Sequence, residues 1–185
     1  MNPVPNEDAE GDFYPPSEDT YLLRDAAVEE ARPDDIALEV GTGSGVIAEA
    51  LKDKVERVVA TDINPSAVRV AHKRGVPAVR TDLVAALDAA FDLVVFNPPY
   101  LPSTDETPDD SMSHALGGGE TGRETAERFT EDVKRVLAPE GRVLLVASSL
   151  SGVEEFEGRD DYAVERVAAE RYFFEEIFVL RLTPL

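Results

Sequence analysis

The chain is expected to fold as an α/β domain built on a mostly parallel sheet with helices on both faces. Three observations lead there. Short β-branched runs alternate with stretches of helical apolar spacing, three glycines at alternate positions join the first such run to a helix, and acidic residues stand at the ends of successive runs. Strands that alternate with helices build parallel sheets, because each parallel return needs a crossover long enough to hold a helix. The 185 residues, 43% of them hydrophobic, suit one domain with a proper core. Residues 1–12, polar and Pro-containing, are read as a flexible N-terminal tail, and residues 13–185 as the domain.

The first helix begins at Ser17, a capping residue followed by Glu18 and Asp19 at the positive end of the helix dipole. Leu22, Leu23, Ala26 and Ala27 recur at helical spacing, and Arg32-Pro33-Asp34-Asp35 ends the element. Residues 36–40 then read as a strand, 46–54 as a helix, 57–61 as a strand and 65–74 as a helix. Strands over 76–81, 91–96 and 142–147 continue the rhythm, with a helix over 122–137 between the last two. Residues 150–158 leave room for only a short helix. Strands over 162–167 and 176–182 lie too close in sequence for a parallel crossover and should pair antiparallel. Residues 101–120, rich in Ser, Thr, Asp and Gly, exceed an ordinary connection and read as a functional loop.

Composition narrows the chemistry. The absence of cysteine removes disulfides, thiolate catalysis and Cys-based zinc sites, and two distant histidines, His72 and His114, make a poor metal site. No metal is expected. The formal charge of −20 is spread along the chain and carried with only four lysines, as in proteins of a high-salt cytoplasm, where the screening length falls to about 3 Å. Such a surface opposes tight non-specific binding to nucleic acid, which needs several cationic contacts to phosphates. No apolar stretch approaches the roughly 20 residues of a membrane span, and the N-terminus lacks the basic and apolar regions of a secretion signal, so a cytoplasmic protein is expected.

In Leu38-Glu39-Val40-Gly41-Thr42-Gly43-Ser44-Gly45, the glycines Gly41, Gly43 and Gly45 allow a ligand to approach the backbone between strand and helix. Dinucleotide sites use G-x-G-x-x-G, with the pyrophosphate on the helix N-terminus. Here the spacing is G-x-G-x-G, and Glu39 would repel a pyrophosphate but can pair with the ammonium of an amino-acid cofactor. Asp62 at the next strand end can accept hydrogen bonds from ribose hydroxyls. Asp82 and Leu83 suit the amino group and the ring of an adenine. Each acid alone could be a solvated loop residue, but together they fit one nucleoside beyond the carboxyl edge of the sheet, with S-adenosylmethionine as the cofactor.

Asn97-Pro98-Pro99-Tyr100 follows the apolar run of residues 91–96. An Asn side-chain oxygen and a backbone carbonyl can accept both hydrogens of one planar NH2 group, and an aromatic ring can cover its face. The alternative is a strand running into a Pro-Pro turn. The NH2 could belong to an amide or to an exocyclic base amine.

Together these segments resemble the class I S-adenosylmethionine-dependent methyltransferases, and more closely the HemK-like protein glutamine methyltransferases of the archaeal and eukaryotic release-factor branch. Tyr14-Pro15-Pro16-Ser17-Glu18-Asp19-Thr20, Thr61-Asp62-Ile63-Asn64-Pro65 and Gly117-Gly118-Gly119-Glu120-Thr121-Gly122-Arg123-Glu124 carry the resemblance beyond the glycine turn, over about residues 13–182. It implies a Rossmann-like seven-stranded sheet of order 3-2-1-4-5-7-6 with strand 7 antiparallel. It also implies cofactor contacts from Thr20, Glu39, Asp62, Ile63, Asp82, Leu83 and Asn97. The segment of residues 150–161 looks short for the last crossover helix of the family.

The substrate so implied is the Gln amide of the Gly-Gly-Gln motif in a class I release factor. Asn97, Pro98, Pro99 and Tyr100 would bind it, with Asn97, Pro98 and Tyr100 as the catalytic set. A small zinc-binding activator subunit is the implied partner, adding a strand at the edge formed by residues 76–81. Two other readings are N-methylation of adenine or guanine, which needs a basic groove and base extraction, and a non-catalytic cofactor-binding subunit.

Overall fold

The structure, a computed structural model, describes residues 15–100 and 121–185. The expected tail of residues 1–12, Tyr14, the loop of residues 101–120 and the segment from Gly117 to Glu120 lie outside the described residues. In chain order the elements are α1 (Glu18–Glu30), β1 (Ile36–Val40), α2 (Val46–Leu51), β2 (Arg57–Asp62), α3 (Pro65–Lys73), β3 (Ala78–Arg80) and β4 (Phe91–Phe96). There follow α4 (Glu124–Asp132) with a 3-10 turn (Val133–Val136), β5 (Leu137–Ser148), α5 (Val153–Glu157), β6 (Tyr162–Arg171) and β7 (Glu176–Pro184).

The strands form one sheet of order β3-β2-β1-β4-β5-β7-β6. β1 to β5 pair in parallel, and β7 runs antiparallel to both β5 and β6. Strict alternation along the central strands splits the core in two. On one face Leu38, Val40, Val94, Phe96, Val143 and Leu145 pack with Phe129 and Val133 from the α4 segment and with Phe156 of α5. On the other, Ala37, Leu93, Val95, Leu144 and Val146 meet Leu23 and Ala27 of α1, Ile47 and Leu51 of α2, and Ala71 of α3. Phe129 is fully buried and its ring meets that of Phe96 at 4.7 Å, tilted by 58°, so truncating it to Ala would cost about 3–5 kcal/mol.

Local chemistry explains the element ends. Ser17 is the N-cap of α1, and its backbone N–H donates to Thr20 Oγ1 at 3.4 Å. Asn64 caps α3 by accepting from the Ser66 N–H at 2.8 Å, Pro65 occupies the first turn, and His72 and Lys73 lie at the negative end.

Several boundaries differ from expectation. α2 stops at Leu51, where the N–H groups of both Lys54 and Val55 turn back to its carbonyl and bring Val55 into the core. β3 spans only three residues, since Pro77 has no N–H to give the ladder, although its carbonyl accepts from Ala60. The expected helix of residues 122–137 tightens into the 3-10 turn, which buries both Val133 and Val136. β5 begins five residues early: Phe91 pairs with Leu137 and Leu93 with Arg142, so residues 138–141 bulge out between the two. Gly141 closes that bulge, where a Cβ would meet the Phe91 carbonyl oxygen at 2.7 Å. β6 reaches Arg171 across a register shift between Arg166 and Ala168.

At the amino edge of the sheet, Arg142 is buried against Asp35. Its Nη1 and Nη2 donate to the two carboxylate oxygens at 3.2 and 2.7 Å, and further bonds reach the carbonyls of Asp92 and Glu30. This knot ties α1, β1, β4 and β5 together at the end away from the crevice. Among the described residues no helix is long and apolar enough to cross a membrane.

Candidate methyl-transfer site

A cleft of about 800 Å³ opens beyond the carboxyl ends of β1, β2 and β4. It gathers all the expected site residues except Gly45, which lies just behind it as the N-cap of α2. Gly41, Gly43 and Gly45 all have positive φ, at 63°, 48° and 75°. At Gly41 the left-handed backbone coincides with a close approach, since a Cβ there would lie 3.2 Å from the Phe96 ring.

Glu39 sits beneath this turn, only 3% exposed. Its carboxylate accepts from Thr42 Oγ1 at 2.6 Å and from the Ala48 N–H at 3.0 Å. Burial pushes its pKa up to about 7 in spite of these bonds. Asp62 ends β2, with Oδ2 accepting from the Gly43 N–H at 2.9 Å and Oδ1 from the Asn64 N–H at 2.8 Å. Burial raises its pKa as well, against those backbone donors. A carboxylate offers about four acceptor positions, so both oxygens keep room for a diol.

Asp82 and Leu83 stand together past β3. Leu83 has φ 47°, and it is the one residue other than glycine with positive φ among the described residues. Such backbone costs of the order of 1–3 kcal/mol and tends to gather at ligand sites. Asp82 pairs with Arg128 of α4 at 2.8 Å, so α4 closes one wall of the cleft. Ile63 is 65% exposed on the rim, an apolar surface available to a flat ring.

The opposite wall contains a residue whose role the sequence did not disclose. Asp19, in the first turn of α1, is 5% exposed and accepts hydrogen bonds from Asn97 Nδ2 at 3.1 Å, Tyr100 Oη at 2.7 Å, the Thr20 N–H at 2.6 Å and Ser17 Oγ. Burial acts to raise its pKa, but the bonds from Ser17, Tyr100, Asn97 and the Thr20 backbone outweigh it and hold the carboxyl below its usual range. The acid is therefore ionised and can only accept. Asn97 must turn Nδ2 toward it, and Oδ1 then faces away, buried and without a hydrogen-bond partner among the described residues. A buried acceptor left unpaired costs about 1–3 kcal/mol, and the residue that carries it lines the cleft. Asp19 was legible as a helix-dipole residue, whereas its partners lie 78 and 81 positions away.

Arg123, from the late Gly-Arg-Glu segment, stands outside the cleft. It bonds Glu127 at 3.1 Å and the Ser151 carbonyl at 3.4 Å, which holds the start of α4 against the loop after β5. No group of His, Asp or Glu side chains among the described residues could hold a metal ion.

Comparison with known proteins agrees with this fold. The methyltransferase small domain matches residues 20–173. A Methanocaldococcus jannaschii protein named as a candidate protein N5-glutamine methyltransferase is 34% identical, over 91% of this chain and 90% of its own length. Human methyltransferase HEMK2 is 37% identical over 78% of this chain and 75% of its own. Among solved structures, the E. cuniculi Mtq2-Trm112 complex, described as responsible for methylation of the eRF1 translation termination factor, includes a chain that superposes with a TM-score of 0.79 at 32% identity. That match covers 95% of this chain and all of the other. By the extent of these matches and the shared fold, this chain belongs to the methyltransferase small domain family and, within it, to the HemK-like glutamine methyltransferases that use S-adenosylmethionine.

Proposed function

We propose that this chain methylates the side-chain amide nitrogen of a glutamine, the one in the Gly-Gly-Gln motif of a translation termination factor. The observation that carries this reading is Asn97, a cleft-lining residue whose Nδ2 is held by Asp19, which leaves Oδ1 a buried acceptor with no hydrogen-bond partner among the described residues. The similarity to glutamine methyltransferases supports the amide over a base amine.

Asn97 Oδ1 and the Pro98 carbonyl accept the two N–H hydrogens of the incoming amide and so fix the direction of its nitrogen. Tyr100, its hydroxyl tethered to Asp19, holds its ring against the amide plane with Pro99 beside it. Orientation is the principal contribution, and a misplacement of about 1 Å can cost around 10²-fold. An amide nitrogen needs no strong base here, because its proton can leave after it has become acidic.

S-adenosylmethionine supplies a methyl group carried on a cationic sulfur. On the protein side, Glu39 would pair with the ammonium of the donor and Asp62 would accept from its ribose hydroxyls, with Thr20 lining the same cleft. Ile63, Asp82 and Leu83 would hold the adenine, where Asp82 already pairs with Arg128.

The expected partner is a small zinc-binding activator subunit, and the protein acts in the cytoplasm. β3 is the short edge strand of the sheet, and Val79 on it is 38% exposed, which suits strand addition by that subunit. A Val79→Pro change should abolish co-purification with the activator, and an undiminished complex would refute that docking mode. For the activity, the chain with its activator should transfer labelled methyl to a termination factor and not to its Gln→Ala form. Equal labelling of both, or labelling of nucleic acid alone, would overturn the reading.

A further inference from the structure

The hairpin joining β6 to β7 ends in two adjacent aromatic rings that nothing in the fold uses. Phe173 is 97% exposed and Phe174 88%, their rings 5.6 Å apart. Soluble chains scatter single apolar residues on the surface, but paired aromatic rings at a tip mark a contact site more often than chance. Leu150, 56% exposed, extends the patch, since its neighbour Ser149 exchanges hydrogen bonds with Glu176 at the foot of the hairpin.

The tip is held firmly. The Tyr172 N–H donates to the Glu175 carbonyl at 2.7 Å, closing the turn, and Ser148 Oγ donates to the Glu175 carboxylate. Tyr172, the residue before the two phenylalanines, packs against the apolar cluster that α1, α2 and α3 cover. It also lies within electrostatic reach of Glu18 and Asp19. Because β7 starts where β5 ends, the tip projects from the carboxyl edge of the sheet, beside the mouth of the cleft. β7 stands two strand spacings from β4, about 10 Å sideways from the strand that delivers Asn97. β3, the proposed activator edge, is five spacings away, about 24 Å.

We infer that Phe173 and Phe174 form a docking knob for the protein substrate, entering an apolar socket flanked by basic residues close to its methyl-accepting loop. The inference rests on the amide reading given under the proposed function. Its place at the carboxyl edge, with Tyr172 near the Asp19 that holds Asn97 and Tyr100, puts the knob where a macromolecule presenting a loop to the cleft must pass. Glu170, Glu175 and Glu176 flank the tip in sequence and Arg171, paired with Glu176 at 3.0 Å, is the one cation among them, so the complementary surface is cationic around its apolar centre. A second copy of this chain would bring the same carboxylates onto themselves, in a protein of formal charge −20, and fits less well.

The test uses the complex with its activator, wild type and Phe173→Ser/Phe174→Ser, on two substrates: a whole termination factor and a short peptide spanning its Gly-Gly-Gln motif. The KM for the whole factor should rise about tenfold or more in the variant, with kcat within about twofold, while the peptide reacts equally with both enzymes. A Phe173→Leu/Phe174→Leu variant should recover most of the lost affinity. An unchanged KM for the whole factor would overturn the inference, as would an equal loss on the peptide. Wild-type dimerisation in sedimentation that the Ser variant abolishes would instead assign the knob to a second copy. If wild type labels no glutamine in either substrate, the amide reading itself fails; if wild type and variant label both equally well, only the docking knob fails.

Discussion

Lowering the pH from 7 to 5.5 should weaken cofactor binding about fifteenfold, and the effect should reside in Glu39. In the free protein burial lifts this carboxyl to about 7, from a usual 4.5. It is then half ionised at pH 7 and only about 3% ionised at pH 5.5. Pairing with the donor's ammonium favours the carboxylate and returns the group toward its usual value, so binding at low pH must expel the proton. The ratio of ionised fractions gives about fifteenfold, and calorimetry in buffers of different ionisation enthalpy should record release of nearly one proton per cofactor at pH 5.5. Glu39→Gln should bind weakly at pH 7 and show no further loss on acidification. A dissociation constant that stays flat in wild type, or the same slope in the Gln variant, would refute the reasoning. The same shift has an opposite sign for stability. A carboxyl raised in the folded state binds protons more tightly there than in the unfolded chain, so the cofactor-free protein should lose about 3 kcal/mol as pH rises from 4.5 to 7.

Three further outcomes follow from the geometry. Asp19→Asn can donate as well as accept, frees Asn97 to flip, and should lower kcat on the order of 10²-fold while the cofactor dissociation constant changes little, as measured by single-turnover kinetics and calorimetry. Asp35→Ala leaves the buried Arg142 guanidinium with only the Glu30 carboxylate, 3.7 Å away, and should cost about 3 kcal/mol in denaturant unfolding, with cofactor affinity retained because the knot lies at the far end of the sheet. Gly41→Ala puts a Cβ 3.2 Å from Phe96 on left-handed backbone, and fluorescence titration should show cofactor affinity falling at least about tenfold.

The sequence made the centre of the fold plain because β1, β2 and β4 are apolar runs bounded by charge and glycine. Its edges were harder to read. Residues 138–141 look like a turn, and only the pairing of Leu137 with Phe91 shows that they are a bulge within β5. The last third of β6, Ala168-Ala169-Glu170-Arg171, has no β-branched residue, and its strand geometry is imposed by the ladder to β7. At the site, Glu39, Asp62 and Asp82 were legible because they stand at strand ends in a fixed rhythm. The sequence also showed Asn97 as an acceptor, but not what orients it. Asp19 and Arg128 act on Asn97 and Asp82 across 78 and 46 positions, and such partnerships appear only when the chain is folded.

The central claim is that Asn97, set by Asp19, presents a glutamine amide for methylation. Fragment mass spectra of a termination factor treated with this protein, its activator and S-adenosylmethionine test it most directly. They should place one methyl on the side-chain nitrogen of the Gln in Gly-Gly-Gln, and Asn97→Ala should lose the product while still binding cofactor. A methyl group on any other residue or on nucleic acid, or full activity in Asn97→Ala, would contradict it.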